Sequence, residues 1–269
     1  VTRLDELLAD LQAESASLRA MVGRAGPDAL ALATPAAGWT VAHQLAHLTW
    51  TDEVATSATA SVVPSVETAR GWDVVLAEAA SAPTTFVDDG AAELAVADPT
   101  ELMTRWDAGR AALAAALRAT PADVRIPWFG PPMKATSMAT ARIMETWAHG
   151  LDVAAALDVT PEPTDRIRHV CHLGVATRAF AYAGRGLPVP EEPIHVTLTA
   201  PSGAEWSWGD PAAIHRISGP AWEFAQVAVR RRHPDDTSLV ATDGPAREWL
   251  GIIQAFAGPP GADPERTRP

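Results

Sequence analysis

Leu4, Leu7, Leu8, Leu11 and Leu18 recur among acids and alanines at three- and four-residue steps. This is the apolar stripe of an amphipathic helix over 2–22, ended by Gly23 and Gly26-Pro27. Val41, Leu45 and Leu48 form the packing side of a second helix over 40–60, with Thr40 as N-cap and Pro64 beyond its end. A third helical pattern over 65–82 carries Trp72, Val75 and Leu76, and a short helix follows Pro83 within 83–97. The run 100–120 is a strong helix, with Thr100 or Asp98 at its start and Pro121 behind it. Residues 138–157 form another, anchored by Ile143, Trp147 and Leu151, and a last one covers 164–183. No strand pattern interrupts this stretch.

After Gly184-Arg185-Gly186 the period changes. Pro188, Pro190 and Pro193 mark a linker, and alternating positions around Pro201-Ser202-Gly203 predict a hairpin of strands near 194–200 and 204–208. A strand at 214–217, a helix over 219–231, a strand at 237–241 and a helix from Pro245 follow, and the proline-rich 259–269 is expected to be disordered. The reading is a mainly α protein: a helical part over 1–183, a boundary at 184–193, and a smaller α+β domain over 194–258. A chain of 269 residues is long enough to bury a substantial core in this arrangement.

The helix over 138–157 carries a polar stripe on an alanine-rich body. Arg142, Glu145, His149 and Asp152 are spaced three, four and three apart, which places them on one face. Polar groups on a core helix are costly unless paired or coordinated. Glu145 and His149, one turn apart, are able to bind one metal ion; the plainer alternative is a solvated face with weak pairs, including one from Arg142 to Glu145. On the 40–60 helix, His43 and His47 are again four apart and share a face. Two helices therefore each offer a histidine-bearing face.

The loop PADVRIPWFGPPMKATS breaks the period and sets Trp128, Phe129 and Met133 just ahead of the Glu145 helix. They suit a pocket wall or lid, or equally a plug for one end of a bundle. His172 and Arg178 on the 164–183 helix are within reach of such a site, or are surface groups.

The net charge of −12 and a pI near 5.0 argue against a nucleic-acid partner, and Arg230, Arg231 and Arg232 are too short a run to reverse that. The one cysteine, Cys171, excludes an internal disulfide and a cysteine-cluster metal site and fits a reducing cytoplasm. Cys171 is either a nucleophile or, more simply, a small packed residue. No segment approaches eighteen apolar residues, and VTRLDELL is not a basic-then-apolar leader, so a soluble cytoplasmic protein without membrane contact is expected.

GWTVAHQLAHL followed later by METWAHGLDVAAAL resembles the DinB/YfiT-like metalloenzyme superfamily, and more closely its mycothiol-dependent maleylpyruvate isomerase branch. RISGPAWEFAQVAVRRR is similar to the small α+β domain that follows the bundle in that branch. The resemblance implies a DinB-like up-and-down four-helix bundle with a divalent metal at one end, held by His47, Glu145 and His149. It assigns His43 no ligand role; that residue lines the site, carries a proton, or is simply packed. Two imidazoles and one carboxylate leave an open position on the ion, the mark of a catalytic site. Zinc is the default, and iron, nickel, cobalt or manganese accept the same donors. Asp152 either orients a ligand imidazole or is an exposed acid. Arg142 is the best candidate to clamp a substrate.

The activity implied is that of a thiol-dependent isomerase or S-transferase, with mycothiol as cofactor, acting on a small electrophile. A thiol-free hydrolase, lyase or cyclase on the same fold is the alternative, and a non-catalytic metal-binding protein the third. The C-terminal domain closes over the metal end or mediates a homodimer, the chain otherwise being a monomer; Trp206, Trp208 and Trp222 suit either role or a plain core.

Overall fold

Thr2 opens the first helix by a reciprocal cap, accepting the Asp5 N–H while the Asp5 carboxylate accepts its own, in the computed structural model, which describes residues 2–259 and 261–267. The helix, α1 (Arg3–Ala25), buries Leu7, Leu8, Leu11, Leu18 and Val22. α2 (Val41–Ala60) follows, then the short α3 (Trp72–Ser81) and α4 (Phe86–Ala95). α5 (Pro99–Ala119) starts at Asp98, whose carboxylate accepts the Thr100 and Glu101 N–H groups. α6 (Ala135–Ala156) completes a compact unit that ends at Pro161.

Contacts set the helix directions. Arg19 pairs with Asp107 and Arg118 with Asp5, so α1 and α5 are antiparallel. His47 meets Glu145 and Asp52 meets Arg142, so α2 and α6 are antiparallel too. Leu102 and Trp106 share a core cluster with Leu45 and Leu48, while Leu113 and Leu117 share one with Ala55 and Ala58, so α5 runs the same way as α2. The four-helix bundle expected is present, with α3 and α4 forming the crossover that returns the chain to the same end before α5.

The crossover packs tightly against α2. Trp50 meets Phe86 edge-on at 4.8 Å, and a Cβ on Gly90 would lie 2.4 Å from the Trp50 indole. Gly90→Ala is therefore expected to destabilise the protein by about 1–3 kcal/mol, read as a lower urea midpoint with an unchanged slope. An unchanged midpoint would mean that α4 shifts without cost. Residues 65–71, expected to be helical, instead run irregularly from Pro64 to Gly71, with Thr68 bonded to Ser57 at 3.0 Å, and the helix begins only at Trp72.

The second unit starts at Glu162 rather than at 184–193. Its first helices, α7 (Arg168–Ala176) and α8 (Arg178–Ala183), were expected as one helix of the bundle part. They break at Thr177, whose hydroxyl donates to the Leu173 and Gln254 carbonyls. α7 lies against α9 (Ala221–Ala228): a Cβ on Gly174 would meet the Ala228 and Phe224 side chains at 3.0 and 3.3 Å, a close packing that the helical period alone cannot reveal. Between them come β1 (Ile194–Thr199), β2 (Glu205–Trp208) and β3 (His215–Pro220), and after them β4 (Val240–Ala241) and α10 (Pro245–Ile252).

The sheet order is β2-β1-β3-β4. β1 and β2 form the expected antiparallel hairpin, Leu198 opposite Trp206, whereas β1 and β3 are parallel, Val196 opposite Ile217. α9 is shorter than expected because Arg230 turns to a positive φ of 58°. Trp206 is buried with the Arg168 guanidinium over its ring, so it serves the core of this unit.

Residues 261–267, expected to be disordered, are tied down. The Asp236 carboxylate accepts the Thr267 N–H and hydroxyl at 2.7 and 2.9 Å, and Arg230 pairs with Asp263. For Pro260, Arg268 and Pro269 the expectation lies outside the described residues. Among the described residues no helix is long and apolar enough to cross a membrane.

Candidate metal centre

The start of α2 is built by GWTVAHQ. His43 turns its Nδ1 back to the Thr40 N–H at 3.3 Å and the Thr40 hydroxyl at 2.9 Å, taking the place that Glu or Gln holds in a capping box. Its ring therefore closes the helix end and leaves only Nε2 for any proton transfer. One turn on, His47 points into the bundle, its side chain 9% exposed.

From α6, Glu145 and His149 meet it. Glu145 Oε2 lies 3.3 Å from His47 Nε2 and 3.3 Å from His149 Nε2, and the three atoms lie within 4.8 Å of one another. Three electron-pair donors turned toward each other repel unless a proton or a cation sits among them. Two imidazole nitrogens and a carboxylate oxygen are ligands that zinc and other first-row divalent ions accept. The residues present thus fit a divalent metal, and Glu145, with 22% of its side chain exposed, keeps the cluster open to solvent.

Electrostatics favour the ligand forms. Burial, helped by the charge of His149, pushes His47 down to about 4, so its imidazole is neutral at physiological pH. The unfolded chain takes up a proton near pH 6.5 that the folded one refuses, so His47 costs stability as the pH falls from about 6.5 to about 4. Burial by itself would raise the Glu145 carboxyl, but the His149 and His47 imidazoles beside it outweigh burial and hold the group well below its usual range.

Trp39, inside the motif but given no role by the sequence, is an aromatic residue beside the candidate ligands. Its ring stacks on His149 at 6.1 Å and 19° and lies 5.5 Å from that of His47. Gln44 was also missed: fully buried, it brings its amide oxygen to 2.5 Å from His149 Nδ1. A glutamine set between the packing residues Val41 and Leu45 carries no sequence signal of such a role. The Gly-Trp-Thr triplet was the available signal for Trp39.

Arg142 is not a substrate clamp. It is 3% exposed, and its guanidinium donates to Asp52 at 2.9 Å rather than pairing with Glu145. Arg110 donates to the other Asp52 oxygen at 2.7 Å and to Thr146 at 3.1 Å. Asp52, fully buried, thus serves two cations. Asp152 is 3% exposed, which removes the exposed-acid reading.

Trp128 and Phe129 do not border the ligands. They join Trp72 and Phe86, Trp128 stacking on Trp72 at 6.2 Å and Phe129 meeting Phe86 at 5.6 Å. Met133 pairs with Ile126 and packs with Leu7, Ala58 and Met138, near the opposite end of α6 from His149. The aromatic side chains of this loop were free to reach either end; apolar packing on α3 and α4 decided it. His172 and Arg178 belong to the second unit, where Arg178 donates to the Glu192 and Pro190 carbonyls. Cys171 is buried there, its thiol raised by burial and directed at the Ala221 carbonyl, so it is a packed residue. A cavity of about 320 Å³ beside α2 and α5 is lined by Glu53, Ser57, Arg70 and Arg105 and by none of the three ligands.

Residues 11–154 match the family model described as the mycothiol maleylpyruvate isomerase N-terminal domain. The chain is 48% identical over 254 residues, 94% of its own length and 96% of theirs, to uncharacterized proteins of two Mycobacterium tuberculosis strains, CDC 1551 / Oshkosh and H37Rv. Two crystal structures of the mycothiol-dependent maleylpyruvate isomerase, one of a mutant, share its fold at TM-scores of 0.61 and 0.60. They are 16% and 17% identical to it, over 90% of this chain and 93% of those.

Proposed function

Since the chain belongs to the family of the mycothiol maleylpyruvate isomerase N-terminal domain, we propose that it is a metal-dependent enzyme that uses a low-molecular-weight thiol, mycothiol, in isomerising a small electrophile or transferring sulfur to it. The observation that carries the reading is the convergence of His47, Glu145 and His149 on one point. A divalent ion there, zinc by default, would lower the pKa of a bound thiol and make it a nucleophile at neutral pH.

The residues of the chain do the holding. Neutral His47 and ionised Glu145 are ligands without proton loss. Three ligands, rather than four, leave a coordination position for an exogenous group. Trp39 stacks on the His149 ring and keeps it in plane. The sulfur comes from outside the chain, because its one cysteine is a buried, packed residue of the second unit.

The test is turnover of an activated cis-enone by the zinc-loaded protein, with and without mycothiol or a simpler thiol. Conversion is expected only with the thiol. Hydrolysis of an activated ester or amide without any thiol would instead favour the thiol-free metalloenzyme.

A further inference from the structure

The amide of Gln44 sits in a chain of hydrogen bonds whose direction is settled from its far end. The Thr34 hydroxyl donates to the Trp39 carbonyl at 2.9 Å, so its oxygen is left to accept. Gln44 Nε2 donates to that oxygen at 2.9 Å. The amide oxygen of Gln44 therefore faces the other way, 2.5 Å from His149 Nδ1. An amide oxygen only accepts, so Nδ1 must carry the proton.

From this we infer that Gln44 is a positioning residue for the metal centre: it holds His149 as the Nδ1–H tautomer and so keeps Nε2 bare for an ion. The inference rests on the metal reading proposed above and adds a determinant of affinity to it. Neighbouring groups agree. Gln44 is fully buried, so no water competes for its oxygen, and Trp39, whose carbonyl anchors the chain, also stacks on the His149 ring. The loop before α2, the first turn of α2 and the ligand on α6 are thereby joined through one side chain.

The rival arrangement breaks the bond from the Thr34 hydroxyl to the Trp39 carbonyl and reverses the other two: the Thr34 hydroxyl donates to Gln44, the amide nitrogen donates to Nδ1, and Nε2 carries the proton toward Glu145. Two variants of similar volume separate the readings. Gln44→Met removes the acceptor, and Gln44→Glu keeps an acceptor while losing the donor to Thr34. The zinc Kd, measured by chelator competition on the full chain, is expected to weaken roughly 10–100-fold in Gln44→Met and to stay at or below the wild-type value in Gln44→Glu. A purely structural role predicts the opposite order, since the glutamate gives up the Thr34 bond and buries a charge.

Nitrogen-15 shifts of the His149 ring in the metal-free protein give a readout independent of metal. Nδ1–H is expected in wild type and a mixed or Nε2–H ring in Gln44→Met. Equal affinities in the two variants, or an Nε2–H ring in wild type, would overturn the inference. A wild-type protein that takes up no zinc while its His149 ring is Nδ1–H would sink the metal reading and leave the Gln44 tautomer lock standing.

Discussion

Alanine in place of His47 or Glu145 is expected to strip the protein of its metal and to reduce thiol-dependent turnover to background. Each change leaves two donors, of which only the Glu145–His149 or His47–His149 pair remains. The loss should exceed the roughly 10–100-fold typical of removing a group that only orients a ligand. Elemental analysis of protein purified without added metal provides the measurement: close to one ion per chain in wild type and none in either variant, with unchanged circular dichroism. His47→Ala should also relieve the acid sensitivity of the metal-free protein, because the buried neutral imidazole that costs stability below about pH 6.5 is gone. Full retention of metal by both variants would place the ion elsewhere.

Asp52→Ala is expected to cost about 3–5 kcal/mol and to leave much of the protein unfolded at moderate temperature. The argument is one of charge. Asp52 is fully buried between Arg110 and Arg142, themselves 4% and 3% exposed, so removing the carboxylate strands two guanidinium groups without a counter-ion. Urea unfolding followed by circular dichroism measures the loss. Replacing all three, Asp52→Leu with Arg110→Met and Arg142→Met, should recover most of the stability, since apolar groups of similar volume remove the desolvation cost as well as the attraction. If Asp52→Ala unfolds at the wild-type midpoint, water reaches the two arginines and the network is not dry.

Much of this was legible in the sequence because it is periodic. The leucine stripe of α1, the Asp98 cap and the Glu145–His149 spacing are local features that a helical repeat exposes directly. What depended on distant pairing was not. Arg142 sits one turn from Glu145, and a one-dimensional reading favours that neighbour. Its true partner, Asp52, lies 90 residues earlier and wins because it is fully buried and already held by Arg110. The same limit hid Gln44, 105 residues from His149, and sent the Trp128–Phe129 loop toward the wrong neighbours. The unit boundary was misplaced because α7 has an ordinary amphipathic pattern, and only its packing on α9 assigns it to the second unit.

The sequence separation of 98 between His47 and Glu145 also bears on the order of events in synthesis. When α2 leaves the ribosome it carries one of the three candidate ligands, and α6 on its own carries two. Neither helix alone holds all three, and the chain that joins them spans the whole crossover and α5. Contacts closed over so long a chain form late in folding. On the metal reading proposed above, the ion would be acquired by a bundle that has already assembled its core, and metal supply would decide whether the protein is active rather than whether it folds.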